Sequence, residues 1–252
     1  MLASYASVFN AVEGNTTFYH IPTDEKVRRW AEALQGSSCR ISFKLPSALT
    51  HERRPDTAIL NHFLKTLQPL KSHMGPFLLQ FPEWVGMDFL QRFAPLFEQV
   101  ATFGSGVVEV RNRGLFARPE LLEPMLGEFG FGRVMLDSRP LYHGNRDHPA
   151  VRAAIHEKPD VPVLDTVYNN LAFVRLILHP DMTGNAVWMD HWVQRTARWI
   201  TDGIEPVIMI HCPDNSFCPL FAQIFHQRLA ACCQPPLPAL PPWPVPQQGQ
   251  LL

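Results

Sequence analysis

Four residues of this 252-residue chain combine a reactive side chain with a telling position: Glu13, Lys44, Glu109 and Asp137. Each ends a short apolar stem, in "NAVEGN", "RISFKLP", "GVVEVRN" and "RVMLDS". Gln80 in "PFLLQFP", Arg175 in "LAFVRLILH" and His211 in "PVIMIHCP" occupy the same place on their own stems. Asn15, Thr16, Arg111 and Arg139 follow within a few residues of these stem ends, and His51 lies just past Lys44 in "LTHERR". Three carboxylates beside Lys44, Arg111 and Arg175 could join proton transfer to the holding of an anion. The same charges could instead neutralise one another in a structural salt-bridge network.

Lys44 has three readings: a base, a Schiff-base former or a phosphate contact. Ile41, Phe43 and Leu45 alternate with Ser42 and Lys44, so the lysine shares a face with a serine and is enclosed if that face is interior. His51 could move protons beside it. Glu109, Asp137, His179 and His211 supply mixed N and O donors, but without CxxC, HxH or HExxH spacing the questions of a metal and of a cofactor are both left open. Neither a GxSxG elbow nor a P-loop occurs, which argues against those hydrolase and nucleoside-triphosphate classes.

The elements that would position these residues repeat regularly. Seven short apolar runs alternate with segments of helical spacing, among them "TDEKVRRWAEAL", "TAILNHFLKTLQPL", "MDFLQRFAPLFEQV", "RPELLEPMLGEFG", "NAVWMDHWVQRTARWIT" and "SFCPLFAQIFHQRLAA". Thr23 is a candidate N-cap for the first. Such alternation predicts right-handed βα units on a parallel sheet, with active-site groups at the C-terminal strand ends. A doubly wound open sheet is the alternative, but the first strand lacks a glycine-rich phosphate turn. A closed barrel needs eight strands and seven are present, so the expectation is an α/β, TIM-type β/α barrel lacking its first strand. It should span 1–232, with a proline-rich tail over 233–252.

The formal net charge of −1 with interleaved signs gives no field to hold the chain on nucleic acid or an anionic membrane. No apolar run is long enough to cross a bilayer. Five cysteines without scaffold spacing fit a reducing cytoplasm.

"FNAVEGNTTFY", "FKLP" followed by "TH", "LLQFP", "VEVRN", "VMLDSRP", "KPDVPV", "VRLILHPDMTGN", "IMIHCPD" and the ending "PQQGQLL" occur in this order. The ordered set resembles the YecE-like proteins of the domain-of-unknown-function-72 family. The resemblance implies a TIM-type barrel with Glu13, Asn15, Thr16, Lys44, His51, Gln80, Glu109, Arg111, Asp137, Arg139 and Arg175 clustered at strand ends. It brings no reaction with it. Family members begin with an added strand carrying a Gly and a Trp, so the expectation is a truncated N-terminus and a barrel wall open beside Glu13.

Two function classes result. One is an enzyme or binding barrel for a small anionic or sugar-like ligand, with Glu13, Lys44, Glu109 and Asp137 in catalysis. In it Asn15, Thr16, His51, Gln80, Arg111, Arg139, Arg175 and His211 contact the ligand. The other is a DNA-associated protein, because "QQGQLL" is similar to peptides that engage the bacterial sliding clamp, with Gln248, Leu251 and Leu252 as the contacts.

Overall fold

The structure is a computed structural model and describes residues 1–244. Seven strands occupy the seven apolar runs: β1 (Ala11–Gly14), β2 (Arg40–Phe43), β3 (Phe77–Gln80), β4 (Gly106–Glu109), β5 (Gly132–Asp137), β6 (Phe173–Ile177) and β7 (Val207–His211). Every paired neighbour is parallel, in sequence order, as consecutive βα units require. Helices intervene, including Asp24–Leu34, Thr57–Leu67, Ala94–Phe103, Pro119–Gly127, Ala186–Thr201 and Cys218–Cys232. Thr23 caps the first of these by accepting a hydrogen bond from the Lys26 N–H at 3.3 Å. The fold is α/β and TIM-barrel-like.

The expected single seven-stranded barrel is corrected in its hydrogen bonding. The strands form two ladders, β1-β2 and β3-β4-β5-β6-β7. Among the described residues the strand pairing between them is limited to the isolated bridges Ile41 to Met74 and Lys44 to Leu78. Between those bridges β2 advances three residues and its partner four, and Pro76 supplies no N–H, so a regular ladder cannot form there. Among the described residues no backbone hydrogen bond joins β1 to β7. Side chains make that connection instead.

Strand alternation sorts the core into an inner and an outer layer. Ala11, Leu78, Val107, Val134, Phe173 and Met209, from six different strands, pack into one apolar cluster, which only a shared lumen can bring together. Ile41, Phe43, Leu79 and Val108 face the other way, onto the early helices. Val174, Leu176, Ile208 and Ile210 meet Trp192, Trp199, Phe221 and Phe225 of the last two long helices. Beyond Cys232 the chain runs to Pro244 without a regular element. It lies back on the body: the His226 Nε2–H donates to the Pro238 carbonyl at 2.8 Å, and the Trp243 ring packs 4.9 Å from that of Tyr5. Gln248, Leu251 and Leu252 lie outside the described residues. No helix among those residues is long and apolar enough to cross a membrane.

Candidate functional site

Two residues beyond each inner side chain, apolar on every strand but β2, where it is Ser42, alternation brings the next lumen position, and there the chain is polar. Ala11 leads to Glu13, Ser42 to Lys44, Leu78 to Gln80, Val107 to Glu109, Phe173 to Arg175 and Met209 to His211. A polar tier therefore lies directly on an apolar one at the C-terminal strand ends.

Its centre is Arg175, which is 4% exposed. The Arg175 Nε–H and Nη2–H donate to Glu13 Oε2 and Oε1, both at 2.8 Å, in a bidentate pair. The Nη1–H donates to Glu109 Oε2. Glu109 also accepts from Arg111 Nε at 3.3 Å, and Glu13 from His211 Nε2 at 3.1 Å. Burial alone would raise the pKa of Glu13, but Arg175 and His211 reverse this and hold it well below the usual carboxylate range. Burial likewise opposes ionisation of Glu109, and Arg175, Arg111 and Lys44 bring its pKa below the ordinary value. Burial works against the charged form of Arg175 too, yet its two carboxylates raise its pKa. The three groups stay charged together.

Lys44 and Gln80 are different. They are 8% and 4% exposed, and neither side chain makes an ion pair or hydrogen bond among the described residues. Lys44 Nζ lies 3.6 Å from the centroid of the Phe18 ring. Burial lowers its pKa to about 8, with Glu109 opposing and Arg175 and Arg111 adding to the shift. His51, whose Nδ1 bonds the Thr50 hydroxyl at 2.9 Å, is pushed down to about 4 by burial and then by Lys44 and Arg111. It is therefore neutral at pH 7.

Thr17 shapes the wall beside Lys44. Its hydroxyl meets the Gly14 and Lys44 carbonyls at 2.9 and 2.6 Å, tying the end of β1 to that of β2. Gly14 permits this approach, since a Cβ there would come within 2.5 Å of the Phe43 ring. Asn15 and Thr16 are exposed beside this turn and make no side-chain hydrogen bond among the described residues.

One basic residue escaped the sequence reading. The segment after the helix Pro149–Ala154 crosses the strand ends, with four consecutive carbonyls held by side chains. Arg111 donates to Glu157 O at 3.3 Å, Tyr142 to Lys158 O, Ser138 to Pro159 O at 2.6 Å and Arg113 to Asp160 O at 2.7 Å. This pinning places Lys158 over the polar tier. Burial lowers its pKa and Arg175 lowers it further, while Glu109 opposes. A cleft of about 310 Å³ opens alongside, between Arg111, Arg113, Glu157 and Asp160.

Asp137 and Arg139 are corrected in place. Leu136 takes the inner position of β5, so Asp137 points outward to the helix Ala186–Thr201. There it is fully buried and accepts from Trp192 Nε1 at 2.8 Å, from Arg139 Nε and Nη2 at 2.9 and 2.7 Å, and from the Arg139 backbone N–H at 3.0 Å. The proposed metal donors do not converge. His179 is used by Asn145 O and the Asp181 N–H, and among the described residues no three His, Cys, Asp or Glu side chains form a metal-holding group.

The family model for DUF72, described as a protein of unknown function, matches residues 1–246. The chain is 32% identical to the UPF0759 protein YecE of Escherichia coli K12 over 255 residues, covering 99% of this chain and 92% of that protein. Its fold is similar to the crystal structure of a DUF72 family protein from Enterococcus faecalis V583, with a TM-score of 0.68 at 21% identity, covering 91% of this chain and 93% of that one. A DUF72 family protein from Thermotoga maritima MSB8 is similar at a TM-score of 0.60 and 14% identity, with 88% and 85% covered. With the whole polar tier inside the matched region, the chain belongs to the DUF72 family.

Proposed function

We propose that the polar tier binds a small anionic, sugar-like ligand at the C-terminal strand ends, with Lys44 as the group equipped for acid–base or nucleophilic work. The observation that carries this reading is a charge imbalance in an enclosed place. Two carboxylates, Glu13 and Glu109, face four basic side chains, Arg175, Arg111, Lys44 and Lys158. The carboxylates are committed to Arg175 and Arg111, so the two ammonium groups are left for a ligand. In this reading Glu13 and Glu109 are counter-ions rather than proton donors, and Gln80 and His211 serve hydroxyl groups. Cytoplasmic residence remains our reading of the sparse, irregularly spaced cysteines.

Thermal unfolding with phosphate, sulfate, citrate and sugar phosphates tests the proposal against neutral sugars. A ligand at a hundred times its Kd stabilises the folded state by about 2.7 kcal/mol, a shift readily measured. The anions should raise the Tm, and Lys44→Met combined with Lys158→Met should abolish the rise. A rise unchanged in the double variant, or none with any anion, refutes it.

A further inference from the structure

Lys44 differs from the other lysines in ways that suit covalent chemistry. The chain has five, at positions 26, 44, 65, 71 and 158. Lys26, Lys65 and Lys71 are exposed on helical segments, where an ammonium is solvated. Lys44 is enclosed at the lumen end of β2, with its nitrogen in cation–π contact with the Phe18 ring and no carboxylate paired to it among the described residues. Gln80 lies beside it across the Lys44 to Leu78 bridge, buried and with its amide unpartnered among the described residues. An amide in that position can donate to an oxygen that gains negative charge during attack on a carbonyl.

From this arrangement we propose that Lys44 forms a Schiff base with a small carbonyl compound that carries a carboxylate or a phosphate. The inference rests on the anion-pocket reading above, which supplies Lys158 and Arg111 to hold the anionic group. The neutral Nζ attacks the carbonyl carbon, forming a C–N bond while the C–O π pair moves to oxygen beside the Gln80 amide. Proton transfer from nitrogen to that oxygen gives the neutral carbinolamine. A proton from solvent then lets the hydroxyl leave as water, and the nitrogen lone pair closes the C=N bond of the iminium. No oxidant or reductant is needed. The charged groups facing the amine are Glu109, Arg175, Arg111 and Glu13, with neutral His51 at its side, and Lys158 faces the same four charged groups. At pH 8 an amine of pKa about 8 is unprotonated about a hundredfold more often than one at 10.5. Part of that gain is offset by lower intrinsic nucleophilicity.

The test is reductive trapping on the full chain at pH 8, with pyruvate in one arm and dihydroxyacetone phosphate in the other, using sodium cyanoborohydride. Intact mass and peptide mapping read the result, so the assignment does not depend on a variant that folds. The expected outcome is one adduct per chain, on Lys44, in at least one arm, slowed by excess sulfate. The arm that labels faster tells a carboxylate ligand from a phosphate one. Labelling spread over Lys26, Lys65 and Lys71, or centred on Lys158, overturns the proposal. Absence of any adduct while sulfate still raises the Tm also overturns it and leaves the anion pocket standing. Absence of both removes the two together.

Discussion

Replacing Arg175 with Met should reverse the sign of the protein's pH dependence as well as lower its stability. In the native chain Glu13 and Glu109 have folded pKa values below the ordinary 4.5. Their stabilisation is therefore fully present above about pH 4.5 and is lost only as the pH falls through the lower folded values. Without the guanidinium, burial remains and pushes both carboxyls up, opposed by Arg111, Lys44, Lys158 and His211. The variant is then most stable where the carboxyls are protonated, and it loses stability as the pH rises towards 7. Breaking a buried ion pair by removing one partner costs about 3–5 kcal/mol. For a chain of this size, at about 2–4 °C per kcal/mol, the Tm at pH 7 should fall by roughly 6–20 °C. Unfolding followed by circular dichroism at pH 5, 6, 7 and 8 measures this as the variant's stability minus the native chain's, which should fall as the pH rises; neutral, half-buried His51 makes both chains gain stability from pH 5 to about 6.5 and cancels in the difference. Adding Glu13→Gln and Glu109→Gln should restore much of the loss, since neutral amides remove the two buried charges that the guanidinium had balanced. Parallel pH curves, or no recovery in the triple variant, would mean that the loss is one of packing and that the charge reasoning is wrong.

Two smaller predictions concern the supports of the site. Trp192→Phe removes one donor from the buried Asp137 carboxylate and should cost about 1.5–3 kcal/mol in chemical denaturation, with anion binding unchanged because Asp137 faces away from the lumen. Thr17→Val keeps the shape but leaves the Gly14 and Lys44 carbonyls without their hydroxyl partner, so a loss of about 1–3 kcal/mol is expected, accompanied by weaker anion binding. An equal effect of both variants on binding would contradict the division between lumen and helix face.

How far the site is legible in the sequence depends on whether a strand shows its two faces. In "ISFKL" the alternation of large apolar with small or charged residues sets Lys44 on one face with Ser42, and that face is the lumen. In "VMLD" Val134, Met135 and Leu136 are all buried, because strands covered on both faces carry apolar residues at every position. The period that would have revealed the outward turn of Asp137 is absent, and a one-residue error in facing moves a carboxylate from the lumen to a helix. Lys158 is illegible for another reason. Its loop has no period, and its place is set by Arg111, Arg113, Ser138 and Tyr142, which are remote in sequence. The bond from Arg175 to Glu13 spans 162 residues, so the candidates are visible in the sequence while their partners are not. The break between β2 and β3 is signalled only by Pro76, which also suits the start of an ordinary strand.

The partnering of charges separates scaffold from site within one tier. Glu13, Arg175 and Glu109 satisfy one another with charge-assisted bonds, and His211 and Arg111 extend the set at its edges. A closed network of this kind adds little net stability over apolar packing, but it costs much to break, so it holds strand ends in one arrangement. That matters most here, where no backbone ladder joins β1 to β7 among the described residues: the contact of His211 with Glu13 spans the gap, and the bidentate pair of Glu13 with Arg175 ties β1 to β6 behind it. Lys44, Gln80 and Lys158 are set against this fixed frame and are not used by it. An enclosed amine with no carboxylate paired to it among the described residues costs free energy that the contact with the Phe18 ring offsets only in part. A ligand that supplies the missing negative charge would recover it, and the frame would already hold the donors in position when it arrives.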